Sequence, residues 1–378
     1  MKPVYLDYNA TTPIDREVAD AMLPYLKDYF GNPSSLYEYG QVAKKAVKRA
    51  RGQVADLLNC MPEEIVFTSG GTESNNFALK GAAFANRKKG NHIIASQIEH
   101  PAVEEVFRYL ERQGFQATFV PVDDTGLIDR EGLKKAIRPD TILMSIMHAN
   151  NEVGTIEPIG EISHIAKRHG IIFHTDAAQS VGKIPTDVEE LGVDLLSIAG
   201  HKVYAPKGIG ALYVRKGIIL EKFMHGASHE RNMRAGTENV LQIVGLGQAC
   251  EIAKRDLKKN MAHMMAMRDR LYEGLMKTTG NIRLNGHPDV RLPNTVSLGF
   301  KDVEASLLLS SMEGVCASAG SACHEGSTAI SGVLAAMHVP AEYARGTLRL
   351  STGRLTTEEE IDTVISTISS TIHTIIDI

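Results

Sequence analysis

The sequence predicts an α/β protein, with a mainly parallel, doubly wound sheet of seven strands, helices on both faces, and a smaller α+β part. Three observations predict it. Helical and strand-like stretches alternate between about residues 15 and 216, as in sheets built from strands and helical crossovers. The strand-like stretches are short apolar runs without strict alternation, as expected where both sheet faces are covered. Several end abruptly in polar residues followed by small residues and glycine, the place where such sheets present chemistry.

Helical patterns cover 15–29, 36–58, 73–86, 101–113, 129–137 and 159–169. Among them lie EIVFTS (64–69), HIIAS (92–96), ATFVPV (117–122), ILMSIMHA (142–149), IIFHTDA (171–177), LLSIAG (195–200) and GALYVR (210–215). After residue 238 the pattern changes to one long helical stretch, with Gly245 and Gly247 as the positions for any bend. Its Met261, Met264, Met265 and Met267 read as packing material. Short strands follow at 281–285, 295–300 and 346–351, and then a last helix from Thr356. There Ile361, Ile365, Ile368, Ile372 and Ile375 recur every three or four residues, which buries one helix face. The organisation expected is a large domain over 13–258, with 1–12 and 259–378 forming a small one.

The 378 residues suit two domains. Hydrophobic content of 43% and charged content of 23% are those of a globular protein. A formal net charge of −4 gives no reason to expect nucleic acid, and KKAVKRAR (44–51) reads as a solvated helix face. Met1-Lys2-Pro3 leads directly into VYLDYNA without an apolar leader. No apolar run approaches the roughly 20 residues that a membrane span needs. The expectation is a soluble, cytoplasmic protein without membrane contact. Cys60, Cys250, Cys316 and Cys323 form no CxxC pair and read as reduced thiols, with no metal site. Cys60 and Cys316 adjoin apolar elements and read as packing.

Candidate chemistry gathers at the strand ends. Ser69–Asn75 (SGGTESN) opens a helix, where free N–H groups favour a phosphate; a plain helix cap explains it equally well. His100 stands at a strand-to-helix junction before Pro101, suiting either a cap or a ring stacked on an aromatic cofactor. HANNEVG (148–154) is a further polar strand end, and equally a turn. Asp176, after IIFHT, and Lys202, after LLSIAGH, carry more weight. A buried acid needs a cation or donors, and a protonated pyridine nitrogen is such a cation. Burial lowers a lysine pKa, which suits an amine that condenses with an aldehyde. Pyridoxal phosphate asks for both groups. A bare Asp176–Lys202 ion pair leaves the nearby phosphate-type turn, histidine and asparagine unexplained.

YLDYNATTP, FGNPSS, FTSGGTESNN, EHPAV, NNEVGTIEPI, HTDAAQSVGKIPTD, GHKVYAPKGIGALYV, ERNMRAGTENV, SAGSACHEGS and LRLSTGRLTTEEEID follow in order from residue 5 to 362. Together they resemble the NifS/IscS group of cysteine desulfurases, pyridoxal-phosphate enzymes of aminotransferase class V with the type I fold. The resemblance implies that Lys202 holds the cofactor, Asp176 pairs with its ring nitrogen, and His100 stacks on its ring. It further implies that Gln179 bonds the phenolic oxygen, with Asn151 near that oxygen and the substrate. Gly71, Thr72 and His201 would bind the phosphate, and Thr237 would reach the phosphate of a partner subunit in a homodimer. Arg349 would grip the substrate α-carboxylate. Cys323, between small residues and glycines, would be the catalytic thiol. Ala199 departs from the serine that the family often has there.

The implied reaction turns L-cysteine into L-alanine and leaves sulfur on Cys323 as a persulfide, for an iron–sulfur scaffold or another acceptor. Selenocysteine lyase and aminotransferase chemistry are the alternatives within the same fold.

Overall fold

The computed structural model describes residues 3–320 and 330–376; Cys323 lies outside the described residues. The chain begins with β1 (Val4–Tyr5), α1 (Arg16–Lys27) and α2 (Glu38–Leu58). Strands and helices then alternate: β2 (Ile65–Thr68), α3 (Gly71–Asn86), β3 (His92–Ser96), α4 (Pro101–Arg112), β4 (Gln116–Val120) and α5 (Arg130–Ala136). The alternation continues through β5 (Thr141–Ser145), α6 (Ile159–Arg168), β6 (Ile172–Asp176), α7 (Val188–Leu191), β7 (Leu195–Ala199) and β8 (Gly210–Val214).

These seven strands form one sheet in the order β2-β8-β7-β6-β5-β3-β4. Pairing is parallel from β4 to β7, and β8 runs antiparallel to both neighbours, β7 and β2. The sheet is therefore mainly parallel, with β2 and β3 to β7 ending on the same edge. Alternating side chains split the core between the two faces. Ile65 and Phe67 join Leu196, Ile198 and Tyr213 against α2, α6 and α8. Val66, Leu195 and Leu212 pack on the other face, against α3 and α4. The sequence signal for β5 runs to Ala149, yet the strand stops at Ser145. The Met147 N–H donates to the buried Glu99 carboxylate at 2.9 Å instead of to a neighbouring strand.

Next come α8 (Val240–Thr278), β9 (Ile282–Asn285), β10 (Thr295–Phe300), α9 (Ala305–Ser311), β11 (Val315–Cys316) and β12 (Ser318–Ala319). The chain closes with α10 (Gly332–Ala336), α11 (Ala341–Ala344), β13 (Thr347–Ser351) and α12 (Glu358–Ile376). A four-stranded sheet, β12-β13-β10-β9, packs with α12 and the second half of α8 around a separate core, and β1 pairs with β11 beside it. Ile361, Ile368 and Ile372 are fully buried there, each contributing about 1.5–3 kcal/mol.

Helix α8 is continuous across the sequence position 258/259. Gly245 and Gly247 serve close packing within it. A Cβ on Gly247 would sit 2.6 Å from Ala50 of α2, and one on Gly245 would sit 2.7 Å from the Met22 sulfur. Cys250 is buried and Cys60 half-buried, and burial pushes both thiols up to about 12. Cys316, expected as packing, is exposed. In a two-residue strand Val315 takes the core-facing side, so Cys316 faces outward. No helix among the described residues is long and apolar enough to cross a membrane.

Candidate active site

A cavity of about 250 Å³ opens where the strands of the large sheet end. It is lined by Gly71, Thr72, His100, Asn151, Asp176, Gln179, His201, Lys202 and Arg349, with Asn9, Asn75 and Ala199 among the other lining residues.

The turn between β2 and α3 forms one wall. Gly70 has φ +155° and ψ −178°, a conformation essentially restricted to glycine. It lies tightly against β8, where a Cβ on Gly210 would come 2.7 Å from the Gly70 Cα. The helix begins at Gly71, earlier than the apolar periodicity suggested, and its first internal bond runs from Ser74 N–H to Gly70 O at 3.0 Å. The preceding amides of Gly71, Thr72 and Glu73 stand at the positive end of the helix. Glu73 is turned away from the cavity: it accepts from Ser69 N–H and pairs with Arg234 at 2.8 Å. A Cβ on Gly71 would meet that of Ala199 at 3.1 Å, so small residues on both elements keep this wall open.

Asp176 ends β6 and is buried. Its Oδ2 accepts from Asn75 Nδ2 at 2.7 Å and its Oδ1 from Ala178 N–H at 2.9 Å. Both partners are neutral, so the charge is solvated by dipoles and acceptor capacity remains. Asn75 Oδ1 is buried without a partner beside it. His100 caps α4: its Nδ1 accepts from Ala102 N–H at 3.0 Å, which leaves Nε2 to carry the proton of the neutral ring. Burial holds its pKa below the ordinary value, with Asp176 opposing and Lys202 assisting. The adjacent Glu99 is pushed up to about 8 by burial, so at neutral pH it adds little charge behind the ring.

Lys202 sits in a single helical turn after β7. Its Nζ donates to Ala10 O at 2.8 Å and to Asn9 O. Burial lowers its pKa to about 8, with Arg349 assisting and Asp7 and Asp176 opposing. An amine with that value is about one-tenth unprotonated at pH 7, far more than an ordinary lysine. His201 Nδ1 contacts Thr11 Oγ1 at 3.1 Å, and burial followed by the Lys202 charge takes its pKa to about 4.

Arg349, on β13, pairs with Asp7 at 2.8 Å and donates to Ser318 Oγ and to Asn151 O, each at 3.2 Å. Its Nε is buried without a partner among the described residues, and the residue lines the cavity. Gln179 is buried, and its Nε2 donates to Asn9 O at 3.0 Å. Thr237 is exposed and does not line this cavity.

The N-terminal segment 7–12 is the part of the site that sequence reasoning missed. Asp7 holds Arg349, Asn9 and Ala10 hold Lys202, and Thr11 and Thr12 hold His201 through its ring and its carbonyl. Asn9 is 1% exposed and uses every polar group it has. Its amide donates to Ser351 Oγ and its Nδ2 to Thr295 Oγ1 and Asn151 O. Its Oδ1 accepts from Asn294 and Lys183, and its carbonyl from Gln179 and Lys202. The available signal was YLDYNATTP itself, a polar run inside an otherwise strand-like start.

The cavity thus joins an amine of lowered pKa, a buried acid, a ring at the rim, a guanidinium and a helix start suited to an anion. Comparison with known proteins agrees with that inventory. The chain is 52% identical over 369 residues to "Cysteine desulfurase IscS" of Methanosarcina thermophila, covering 97% of this chain and 91% of that one. The solved structure "NIFS-LIKE PROTEIN" superposes with a TM-score of 0.93 at 38% identity, covering 98% of this chain and 99% of its own. "SspA in complex with cysteine" gives a TM-score of 0.82, also at 38% identity, covering 93% of this chain and 99% of its own. The aminotransferase class-V profile matches residues 4–364, nearly the whole length, and this chain belongs to that family.

Proposed function

We propose that this protein is a pyridoxal-phosphate-dependent cysteine desulfurase, converting L-cysteine and an enzyme thiol into L-alanine and an enzyme persulfide. The single observation that carries the reading is the pairing, across one cavity, of the Lys202 amine with the buried Asp176 carboxylate. The fit to the cofactor rests on the donor set. Asp176 is an anion lacking a cationic partner, the Gly71–Ala199 wall is open, and the first amides of α3 suit a phosphate. Support for cysteine as the substrate comes from relatives named cysteine desulfurase and from a solved neighbour in complex with cysteine.

Bound here, the cofactor supplies an electron sink for the pair left at the substrate Cα. Asp176 would hold the proton of the ring nitrogen, and His100, at the start of α4, would face the ring. Lys202 would hold the cofactor's aldehyde, and its Nζ would take the substrate Cα proton. Arg349 would orient the substrate through its carboxylate, using guanidinium N–H groups beyond those given to Asn151, Asp7 and Ser318. Gln179, Asn151, Thr72 and His201 complete the contacts to cofactor and substrate. The Cys323 thiolate attacks the substrate sulfur. An S–S bond forms and the Cβ–S bond breaks; one proton goes to Cβ and one returns to Cα, which completes alanine. The persulfide then passes to an acceptor such as an iron–sulfur scaffold.

The test is Cys323→Ala in the cofactor-loaded protein. The yellow colour is expected to remain while alanine formation from cysteine falls to background. Undiminished turnover in that variant would overturn the sulfur-acceptor assignment.

The proposal includes a homodimer in which Thr237 reaches the partner's phosphate site. Thr237 is exposed in the single chain, and Leu26 (68% exposed), Phe30 (80%), Leu36 (87%) and Tyr37 (64%) present apolar surface within one segment. Sedimentation is expected at twice the chain mass of 41.2 kDa; a monomer at micromolar concentration would contradict it.

A further inference from the structure

Lys183 is a buried lysine without a counter-ion among the described residues. It is 4% exposed, and its Nζ donates to Gln179 Oε1 at 2.8 Å and to Asn9 Oδ1 at 3.2 Å. Both partners are neutral, and the charges that act on it are those of Lys202 and Arg349. The cavity's acids are engaged elsewhere, Asp7 with Arg349 and Asp176 with Asn75 and Ala178. An ammonium buried in this setting costs several kcal/mol, and burial pushes the Lys183 pKa well below its ordinary value. Desolvation thus disfavours the charged form, and the Nζ supplies an N–H to each of its two acceptors.

Those bonds fix the two groups next to Lys202. The Asn9 carbonyl can only accept, so the Gln179 NH2 faces it and Oε1 faces Lys183. One Gln179 N–H is used on Asn9, and the other remains for the cavity that the side chain lines. The same Asn9 carbonyl holds Lys202 Nζ. We infer that Lys183 is a positioning residue whose buried amine locks Gln179 and Asn9, so that Gln179 presents an N–H to the cofactor beside Lys202.

This inference rests on the pyridoxal-phosphate reading above. Its test is a pH titration of the visible absorption band in the loaded protein. An N–H offered to the cofactor's phenolic oxygen stabilises the oxygen's anion once the neighbouring nitrogen has lost its proton. Removing that donor raises the midpoint. The other charged and titratable groups around Lys202, namely Asp7, Asp176, Arg349, His100 and His201, are the same in every variant. Lys183→Met is expected to raise the midpoint by about 0.5 to 1 pH unit, the equivalent of one hydrogen bond. Gln179→Leu should raise it similarly, and the double variant no further. Lys183→Gln keeps one donor and should give a smaller shift in the same direction; it carries the test if the methionine variant does not fold.

A purely packing role predicts altered thermal stability with an unmoved midpoint. Unmoved midpoints in the folded variants, or additive shifts in the double variant, would overturn the inference. A native protein that gains no visible band with pyridoxal phosphate would instead overturn the cofactor reading, and this inference with it.

Discussion

Replacing Lys202 with alanine is expected to abolish turnover while leaving the protein folded. In the proposed reaction the amine is the attachment point for the cofactor and the carrier of the substrate Cα proton, and among the described residues no other lysine lines the cavity. Loss of the proton transfer alone removes about 10²–10⁴-fold; loss of attachment adds to it. Stability should move the other way below pH 8. Burial holds the native amine at about 8, against 10.5 for an ordinary lysine. Between those values the unfolded chain binds more protons than the native one, so native stability rises with pH through that window. Below it the full penalty of charging a buried amine is present. Lys202→Ala lacks this dependence, and thermal melts from pH 6 to 10 should show a flatter profile than those of the native protein. Retained turnover would remove Lys202 from the chemistry.

Asp176→Asn is expected to lower the rate by about 10³-fold with the cofactor still bound. The asparagine keeps the shape and one acceptor for Asn75 or Ala178, but removes the anion that holds a ring proton. A unit charge pair in close contact is worth about 4 kcal/mol at an effective dielectric constant of 20, about three powers of ten in rate. The loss should fall on kcat more than on KM, because the proposed holder of the substrate carboxylate, Arg349, stands on another element. Steady-state kinetics together with the visible spectrum separate the cases. A rate within a few-fold of native would mean that the ring proton does not depend on Asp176.

Much of the candidate site was legible along the chain because local rules produce it. His100 lies before a proline at a helix start, and Asp176 and Lys202 lie where buried apolar runs end. The backbone puts such residues on the edge of the sheet whatever else the fold does. The start of α3 was less legible. A helix that opens on two glycines has no apolar periodicity to mark it, and the need for Gly70 appears only when β8 presses against it. The end of β5 was likewise hidden, since the carboxylate that ends it comes from Glu99, far away in sequence. Gly245 and Gly247 suggested a bend, but helix–helix contact with α2 and the side chain of Met22 is what requires them.

By itself the sequence determined the α/β architecture, the amine–acid pair and, through its ordered motifs, the family. These follow from periodicity, strand ends and side-chain chemistry, which are properties of neighbouring residues. Only the tertiary structure decided how the site is held. Asn9, Asp7 and Lys183 acquire their roles through hydrogen bonds to partners as distant in sequence as Thr295 and Arg349. Burial then sets their chemistry, leaving Lys183 without a counter-ion among the described residues and Lys202 with a lowered pKa. Neither desolvation nor a long-range hydrogen bond has a signature in local sequence, because both depend on which surfaces the fold brings together.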